Sequence, residues 1–587
     1  MPQNASLDLL AGYGTKASRR TIRERSRFRV LTRHFFHRLF LNDTVFLEEQ
    51  MTEKVVAVIT VLAGFFFYVS ENLMYPYLWF PDQGTSWMEK SYILALVMVF
   101  IGLITVVEWN VMFLDRRDFL NLVPLPLKPG TVLAAKFASL ALFVAFFAAG
   151  MNSLSSLVFT AYLGESQGAS LTFSIRIFLV HMATAAAAGF FVFFSTAAFA
   201  GLLAALPGGR FFRRLSGLLR YLLMLGYVVL LFLFLSEALF GGRSILNLLH
   251  AGGEASSSSP AYPHMWFTGL YEVLLGNRDP FFMEMASMAL SGLALALLAF
   301  FLAAAMSYRR RLKSAEPAGT KRRFAFRMRG MLESAVNHLV SRNSVQRSVF
   351  WFFGKTLAKS QVHRMRLAAY LVVGAGFVIL QFILSGREAV TAESWAMRSI
   401  PFILSLALLL GVKDTVNLSL SLDANWIFRL TENPERRHYF AGLRKAVLVF
   451  CLVPLFLLLT AFYGLAWGWP PAARNGLYAF VFAVALLEGL FFRHRKIPFA
   501  CSYLPGKGKI HVYGVVYLGF FLAYTAVPLG VQAYVLARPS RFAVLCGAVL
   551  AMILAFRIYD KFFFYRKHGI LYEEHPTPVM VDYFSSV

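Results

Sequence analysis

The stretch Asp115–Lys136, DRRDFLNLVPLPLKPGTVLAAK, decides how this chain is read. It lies between two long apolar runs and changes character along its length. The charges Asp115, Arg116, Arg117 and Asp118 come first, then Leu122-Val123-Pro124-Leu125-Pro126-Leu127, then Lys128, Pro129, Gly130 and Lys136. Proline cannot donate a backbone hydrogen bond and disfavours helix at the residue before it. The segment is therefore expected to break the chain, run along a membrane surface and restart a helix at about Thr131. The same punctuation returns 308 positions later: Asp423 matches Asp115, Leu430 matches Leu122, Pro434 matches Pro126, Arg436 matches Lys128 and Arg444 matches Lys136. A second pair, Leu206-Pro207-Gly208-Gly209-Arg210 and Leu504-Pro505-Gly506-Lys507, recurs at an offset of 298. Two matches in different loops point to an internal duplication.

Outward from this stretch the chain is apolar. Hydrophobic residues fill 58% of 587 positions and charged ones 15%, and the apolar residues come in runs of about 17 to 25, long enough to cross a bilayer as helix. In hydrocarbon every backbone polar group must be paired internally, so each run reads as a helix. The runs fall at 55–73, 91–114, 131–159, 171–206, 219–240, 283–306, 367–384, 398–414, 446–468, 476–492, 511–536 and 541–556. The expected fold is an all-α integral membrane protein of about twelve transmembrane helices, two parallel six-helix repeats with both termini inside. The parts are a basic amphipathic N-terminal segment (1–53), a first half (54–306), a basic linker with a surface helix (307–366), a second half (367–556) and a C-terminal tail (557–587).

The net charge of +26 is unevenly placed. With both termini inside, the inner segments hold about 45 Lys and Arg, and the outer loops about 7 against about 8 acids. That positive-inside asymmetry argues for anionic lipid head groups as partners and against nucleic acid. Cys451, Cys501 and Cys546 lie in spans or on the inner side and offer neither a disulfide framework nor zinc spacing. No signal peptide is visible, so the first span would act as its own insertion signal.

Residues 16–38 carry nine Lys or Arg against Glu24 alone, followed by His34-Phe35-Phe36-His37. A helix there would lie in the interface, either as an ordinary juxtamembrane anchor or as an elbow bracing the first span against a cytosolic partner. The linker repeats the layout, ending in Phe350-Trp351-Phe352-Phe353 before the next span. Residues 171–206 would make a helix of roughly 54 Å against a bilayer of about 30 Å, so a tilt or a break is expected. Ala183–Gly189 would allow close helix approach. In the long outer loop 242–282, Ser256–Ser259 reads as linker and Tyr262–Tyr271 as an interfacial helix on the outer leaflet. Glu108 is expected to snorkel and His181 to make a simple interfacial or interhelical bond, with a buried functional acid and a pathway-lining His as the alternatives.

Catalytic signatures are missing. Gly354-Lys355-Thr356 imitates the end of a phosphate-binding loop, but Val349 stands where its first glycine belongs. No HExxH, GxSxG or clustered Asp/Glu/His set is present, and Glu573-Glu574-His575 reads as a polar turn.

The charged turn after a second span, then Leu125-Pro126-Leu127-Lys128-Pro129 and a following Lys136 opening a third, resembles the membrane subunits of ABC-2-type exporters. Those commonly show Leu-Pro-(apolar/Ser)-x-(Arg/Lys) and a later Lys at this place. The resemblance implies six spans per half and a coupling element between spans 2 and 3 that docks on a separate ATPase subunit, two copies in all. It also implies that ATP sits on that partner, with no cofactor, metal or catalytic site in this chain. Carried over residue by residue, the coupling set is Asp115, Arg116, Arg117, Asp118, Leu122, Leu125, Pro126, Leu127 and Lys128, with Asp423, Leu430, Pro434, Glu435 and Arg436 in the second copy. The second copy departs from the pattern: Leu430-Thr431-Glu432-Asn433-Pro434-Glu435 lacks the Leu-Pro start and carries two acids.

The expected function is thus a whole permease in one chain, placed in the plasma or inner membrane and moving a substrate outward. A secondary transporter, for which internal repeats are usual, is the first alternative; Glu488 is the one acid well inside a span. A membrane-embedded lipid-modifying enzyme is the second, and it would need a converging His/Asp/Glu set.

Overall fold

Apolar runs of this length can satisfy their backbone groups in hydrocarbon only as helices, and the computed structural model is all-helical. It describes residues 27–37, 39, 48–75, 87–109, 112, 122, 125, 127–166, 170–205, 210–240, 262–313, 343–385, 394–418, 425–430, 432, 436–500 and 510–571. Among these, twelve helices are long and apolar enough to cross a membrane. The chain is a multi-pass membrane protein. It divides into two compact units, Met1–Ala318 and Gly319–Val587, and six of the twelve candidate spans fall in each.

In the first unit a short helix α1 (27–37) precedes α2 (Glu48–Met74), α3 (Trp87–Val107), α4 (Pro129–Ser166), α5 (Leu171–Ala205), α6 (Arg210–Phe240), α7 (Pro263–Leu275) and α8 (Pro280–Lys313). Helix α3 is the axis of this unit, buried along nearly its whole length. Two glycines let its neighbours close in. A Cβ on Gly102 would meet the Tyr227 ring at 2.4 Å, and one on Gly189 would meet Ile101 at 2.4 Å, the small-residue contact expected between helices in lipid. Helix α5 is continuous over its 35 residues, so its excess length is not taken up by a break.

Helix α7 departs from the sequence expectation. It does not lie on a surface: Met265, Phe267, Thr268 and Tyr271 are buried, and Gly269 backs onto α8, where a Cβ would come within 2.3 Å of Met285. Gly276, at φ 106°, turns the chain and lets α7 and α8 pack as a hairpin. The aromatic run that suggested a head-group belt fills the interior of the unit.

The second unit runs α9 (Ser344–Lys359), α10 (Gln361–Ser385), α11 (Trp395–Val416), α12 (Asn425–Leu430), α13 (Arg437–Val447), α14 (Val453–Trp467), α15 (Trp469–Leu490), α16 (Ile510–Leu536), α17 (Pro539–Tyr559) and the final turn α18 (Tyr565–Lys567). Helices α13 and α14 are one rod joined by a π-helical turn, Leu448–Leu452, which accommodates Pro454 and its missing N–H. Helix α11 is the buried axis here. The loop 491–500 is not a surface excursion either, because Phe491, Ile497, Phe499 and Ala500 are buried beneath the helix ends.

Candidate functional site: the turn end of each unit

The turn end of the first unit, where α3 finishes and α4 begins, is built around α1. Leu31 and Phe35, four residues apart, share one face of that helix. They are buried against Val132 and Ala135 of α4, with Leu122 and Leu127 packed over them. Burying a Leu or Phe side chain contributes about 1.5–3 kcal/mol, enough for this pair to seat α1. The ammonium of Lys136, itself buried, lies 5.1 Å above the Phe35 ring. Helix α1 is therefore braced against the start of α4, and Phe36 adds an edge contact to Phe146.

Within the turn the Leu127 amide donates back to the Leu125 carbonyl at 2.7 Å, and the Leu125 amide to the Leu122 carbonyl at 3.2 Å. These tight reversals send the leucines to different environments. Leu122 and Leu127 pack on the cluster that seats α1, whereas Leu125 is 50% exposed, and Lys128 beside the start of α4 is exposed too. Of the three leucines expected to anchor a partner, one is on offer and two hold the turn in shape. Asp115, Arg116, Arg117, Asp118 and Pro126 lie outside the described residues.

The same end is closed by Arg220 of α6. Its Nε donates to the Val106 carbonyl at 3.0 Å and its Nη2 to the Val107 carbonyl at 2.6 Å, satisfying the last carbonyls of α3. Glu108 follows directly. Burial raises its pKa and the nearby Arg220 charge pulls it back down. The expected snorkelling acid is thus turned inward beside an arginine.

In the second unit α9 takes the corresponding place at the start of the third span. Asn343 caps it, its side chain accepting from the Val345 and Gln346 amides. Gln346 meets the Nδ1 of His438 at 2.7 Å and accepts from Lys445 at 2.8 Å. Gly442 lets the two helices touch backbone to backbone: a Cβ there would lie 2.6 Å from the Gln346 carbonyl. Phe350 and Phe353 are buried, Phe350 beside Phe450 at 4.7 Å and Phe353 stacked on Phe499 at 5.6 Å. The Gly354-Lys355-Thr356 triplet sits inside α9, with Gly354 against the Phe450 ring. It forms no phosphate-binding loop.

Helix α12 carries the second turn. Phe428 packs inward on Phe352, while Ile427 and Leu430 are exposed, Leu430 at 79%. Glu432, one of the two acids that break the family pattern, pairs with Arg436 at 2.8 Å. Its charge is thus met inside the turn. Asp423, Pro434 and Glu435 lie outside the described residues.

Beneath that turn is a buried set of charges. Arg444 donates to Asp560 at 2.6 Å and to the Phe491 carbonyl at 2.8 Å, and reaches Glu488 at 3.4 Å. Glu488 also accepts from Arg557 at 2.6 Å. Lys413 donates to the Leu490 carbonyl at 2.6 Å and meets the Nδ1 of His494 at 3.2 Å. Burial, with Lys413, Arg444 and Lys496 adding repulsion, holds His494 well below the usual imidazole range. Arg493 and Phe499, at φ 55° and 62°, adopt left-handed backbone without being glycine, a strain that persists only where the surroundings hold it. Arg493 is held by the Tyr559 hydroxyl and ring, and Phe499 by Phe353 and His363.

The opposite end of the first unit holds a second polar set. Ser70 and Ser155 lie 2.7 Å apart, Ser155 is 3.3 Å from the His181 Nε2, and the His181 Nδ1 is 3.4 Å from the Tyr271 hydroxyl. Lys90 pairs with Glu272 at 2.6 Å. His181 therefore bonds between helices, the plainer of its two sequence readings. Sequence reasoning singled out Phe35, Arg444 and Glu488 but missed Asp560, whose one signal is an acid placed three residues after Arg557 at the close of an apolar run. Among the described residues no His/Cys/Asp/Glu group could hold a metal ion. The chain matches no protein-family model, no curated protein and no solved structure.

Proposed function

We propose that this chain is the membrane-spanning permease of an ATP-driven exporter, with two copies of a separate ATPase subunit docking on 115–130 and 423–438. It would lie in the plasma or inner membrane with both turn ends in the cytoplasm and move substrate outward. The observation that carries the reading is the turn at Leu122–Lys128. Two of its leucines are spent on bracing, and the third is presented beside a cation on a turn packed against α1 and the start of α4. The second unit supports it with a like arrangement, a helix before its first span seated on the start of its third. That likeness, together with the 308-residue offset, is why we read the halves as parallel six-span repeats. ATP would act on the partner, and the chain itself would carry no catalysis.

The secondary-transporter alternative drew on Glu488. That carboxylate sits two residues from the end of α15, bonded to Arg557 and beside Arg444. A coupling acid should be able to exchange its counter-ion, and this one is tied to two arginines.

Capture decides the matter. A photo-crosslinking residue at Leu125 should trap a subunit that binds ATP, in membranes where labelling from outside reaches Ser257 and not Ser314. Trapping of lipid alone, or labelling of Ser314 from outside, overturns the reading.

A further inference from the structure

We infer that the second docking surface is composite: the chain's own segment Tyr565–Leu571 is built into it, so that the ATPase subunit seated on Leu430 and Arg436 also touches Leu571. This deepens the proposed function and rests on it.

The segment follows the last span and is fastened at every step. Tyr565 stacks on Phe440 of α13 with ring centroids 5.0 Å apart and planes 7° from parallel, and its hydroxyl donates to the His494 carbonyl at 3.0 Å. Arg495 donates to the Gly569 carbonyl at 3.1 Å, and the Leu571 amide donates to the Arg495 carbonyl at 2.9 Å. Lys496 and Leu571 thereby form an isolated parallel β-bridge. Ile570 packs on the buried pair Ile497 and Ala500, the same pair that Phe428 of α12 covers. A Cβ on Gly569 would lie 3.7 Å from the guanidinium of Arg436. Gly569 is flanked by Arg436 on one side and Arg495 on the other.

The result is one surface made from three separate pieces of chain. Ile427, Leu430 and Leu571 are the exposed apolar side chains of these pieces, and the guanidinium groups of Arg436 and Arg495 both lie at Gly569. Arg436 already pairs with Glu432, so the partner should present an apolar cleft with a carboxylate at the edge that faces Arg495, because guanidinium groups pair best with planar carboxylates. The first surface has no such segment in its described residues; α1 supports it instead. This also gives the strained loop 491–500 a task. Arg493 and Phe499 lie on either side of Arg495 and Lys496, the residues against which Leu571 pairs.

The test uses the full-length protein in its native membrane, with photo-crosslinking residues placed singly at Leu125, Leu430 and Leu571. All three are exposed, so none should disturb the fold. The subunit trapped at Leu125, identified by mass spectrometry and by ATP labelling, is the reference. Trapping of that subunit at both Leu430 and Leu571 is expected. Trapping at Leu125 and Leu430 but not at Leu571 overturns the composite surface and leaves the permease reading standing. No trapping of an ATP-binding subunit at any position overturns both. As a second arm, Ile570→Asp should unseat the segment and lower the bound ATPase from two subunits per chain to one by native mass spectrometry. Two subunits still bound to a folded Ile570→Asp protein would overturn the inference.

Discussion

Lys136 holds its ammonium 5.1 Å above the ring of Phe35, joining the helix before the first span to the helix after the second. Neither residue can move alone. If Phe35 shifts, Lys136 is left buried without its aromatic partner; if α4 tilts, α1 must follow. A helix lying loosely on lipid would show no such bond. The contact is what ties α1 to the start of α4.

Phe35→Ala should therefore cost about 3–5 kcal/mol in packing, with about 0.5–2 kcal/mol more from the lost cation–π contact. The expected result is a lower melting temperature in detergent and new proteolytic cutting at Arg29 and Arg33 as α1 lifts away. Unchanged melting with α1 still protected would show that the seat does not depend on this ring.

The three leucines of the first turn should separate cleanly. Leu125→Asp, at a half-exposed site, should leave melting within about 0.5 kcal/mol. It should weaken ATPase docking by about 2–4 kcal/mol, because an unpaired charge enters the contact. Leu127→Asp should do the reverse in order, loosening α1 first, since Leu127 packs on Leu31 and Phe35. Melting curves and co-purification, measured on both variants, should give opposite patterns. Equal loss of melting temperature in both would mean that Leu125 is also structural.

This contrast marks where sequence reasoning ran out. The twelve spans were legible because a bilayer imposes one length and one hydrogen-bonding solution on each, and every apolar run overlaps a helix, although some ends differ by as many as nine residues. Which way Leu122, Leu125 and Leu127 point was not legible, since it depends on two tight backbone reversals between prolines. The placement of α7 was misread for a different reason. Aromatic residues suit a head-group boundary and a helix interior equally well, and what decides is Gly269 meeting Met285, a contact between separate elements. Asp560 was invisible as a partner of Arg444 because 116 residues separate them.

Asp560→Asn should remove one of the two carboxylates facing Arg444. Both carboxylates and the guanidinium are buried, and breaking one partner of a buried pair costs about 3–5 kcal/mol. Arg557→Gln should cost much less, about 1 kcal/mol or below. That guanidinium is more than half exposed, and Glu488 keeps Arg444. Thermal melting of the two variants side by side checks the order. A larger loss from Arg557→Gln would mean that Glu488, and not Asp560, carries the anchor.

His494 makes the turn end of the second unit sensitive to acid. Its ring is buried next to Lys413, with Arg444 and Lys496 also near, while Tyr565 bonds its backbone carbonyl. Burial and these cations keep it neutral when folded, although a backbone hydrogen bond at Lys496 pulls slightly the other way. Once the loop 491–500 opens, the ring takes a proton near its ordinary value of about 6.5. The open state therefore binds more protons than the closed one at pH below about 6.5. Stability is fully present above that value and falls as the pH drops, by up to about 1.4 kcal/mol per unit. Hydrogen exchange of the 491–500 amides, compared at pH 7.5 and 5.5 after correction for the intrinsic rate, should show protection lost at the lower pH. His494→Gln cannot take up that proton and should flatten the dependence while keeping a side chain able to face Lys413. If wild type and His494→Gln lose protection equally, another group is titrating, and His494 is not the acid-sensitive element.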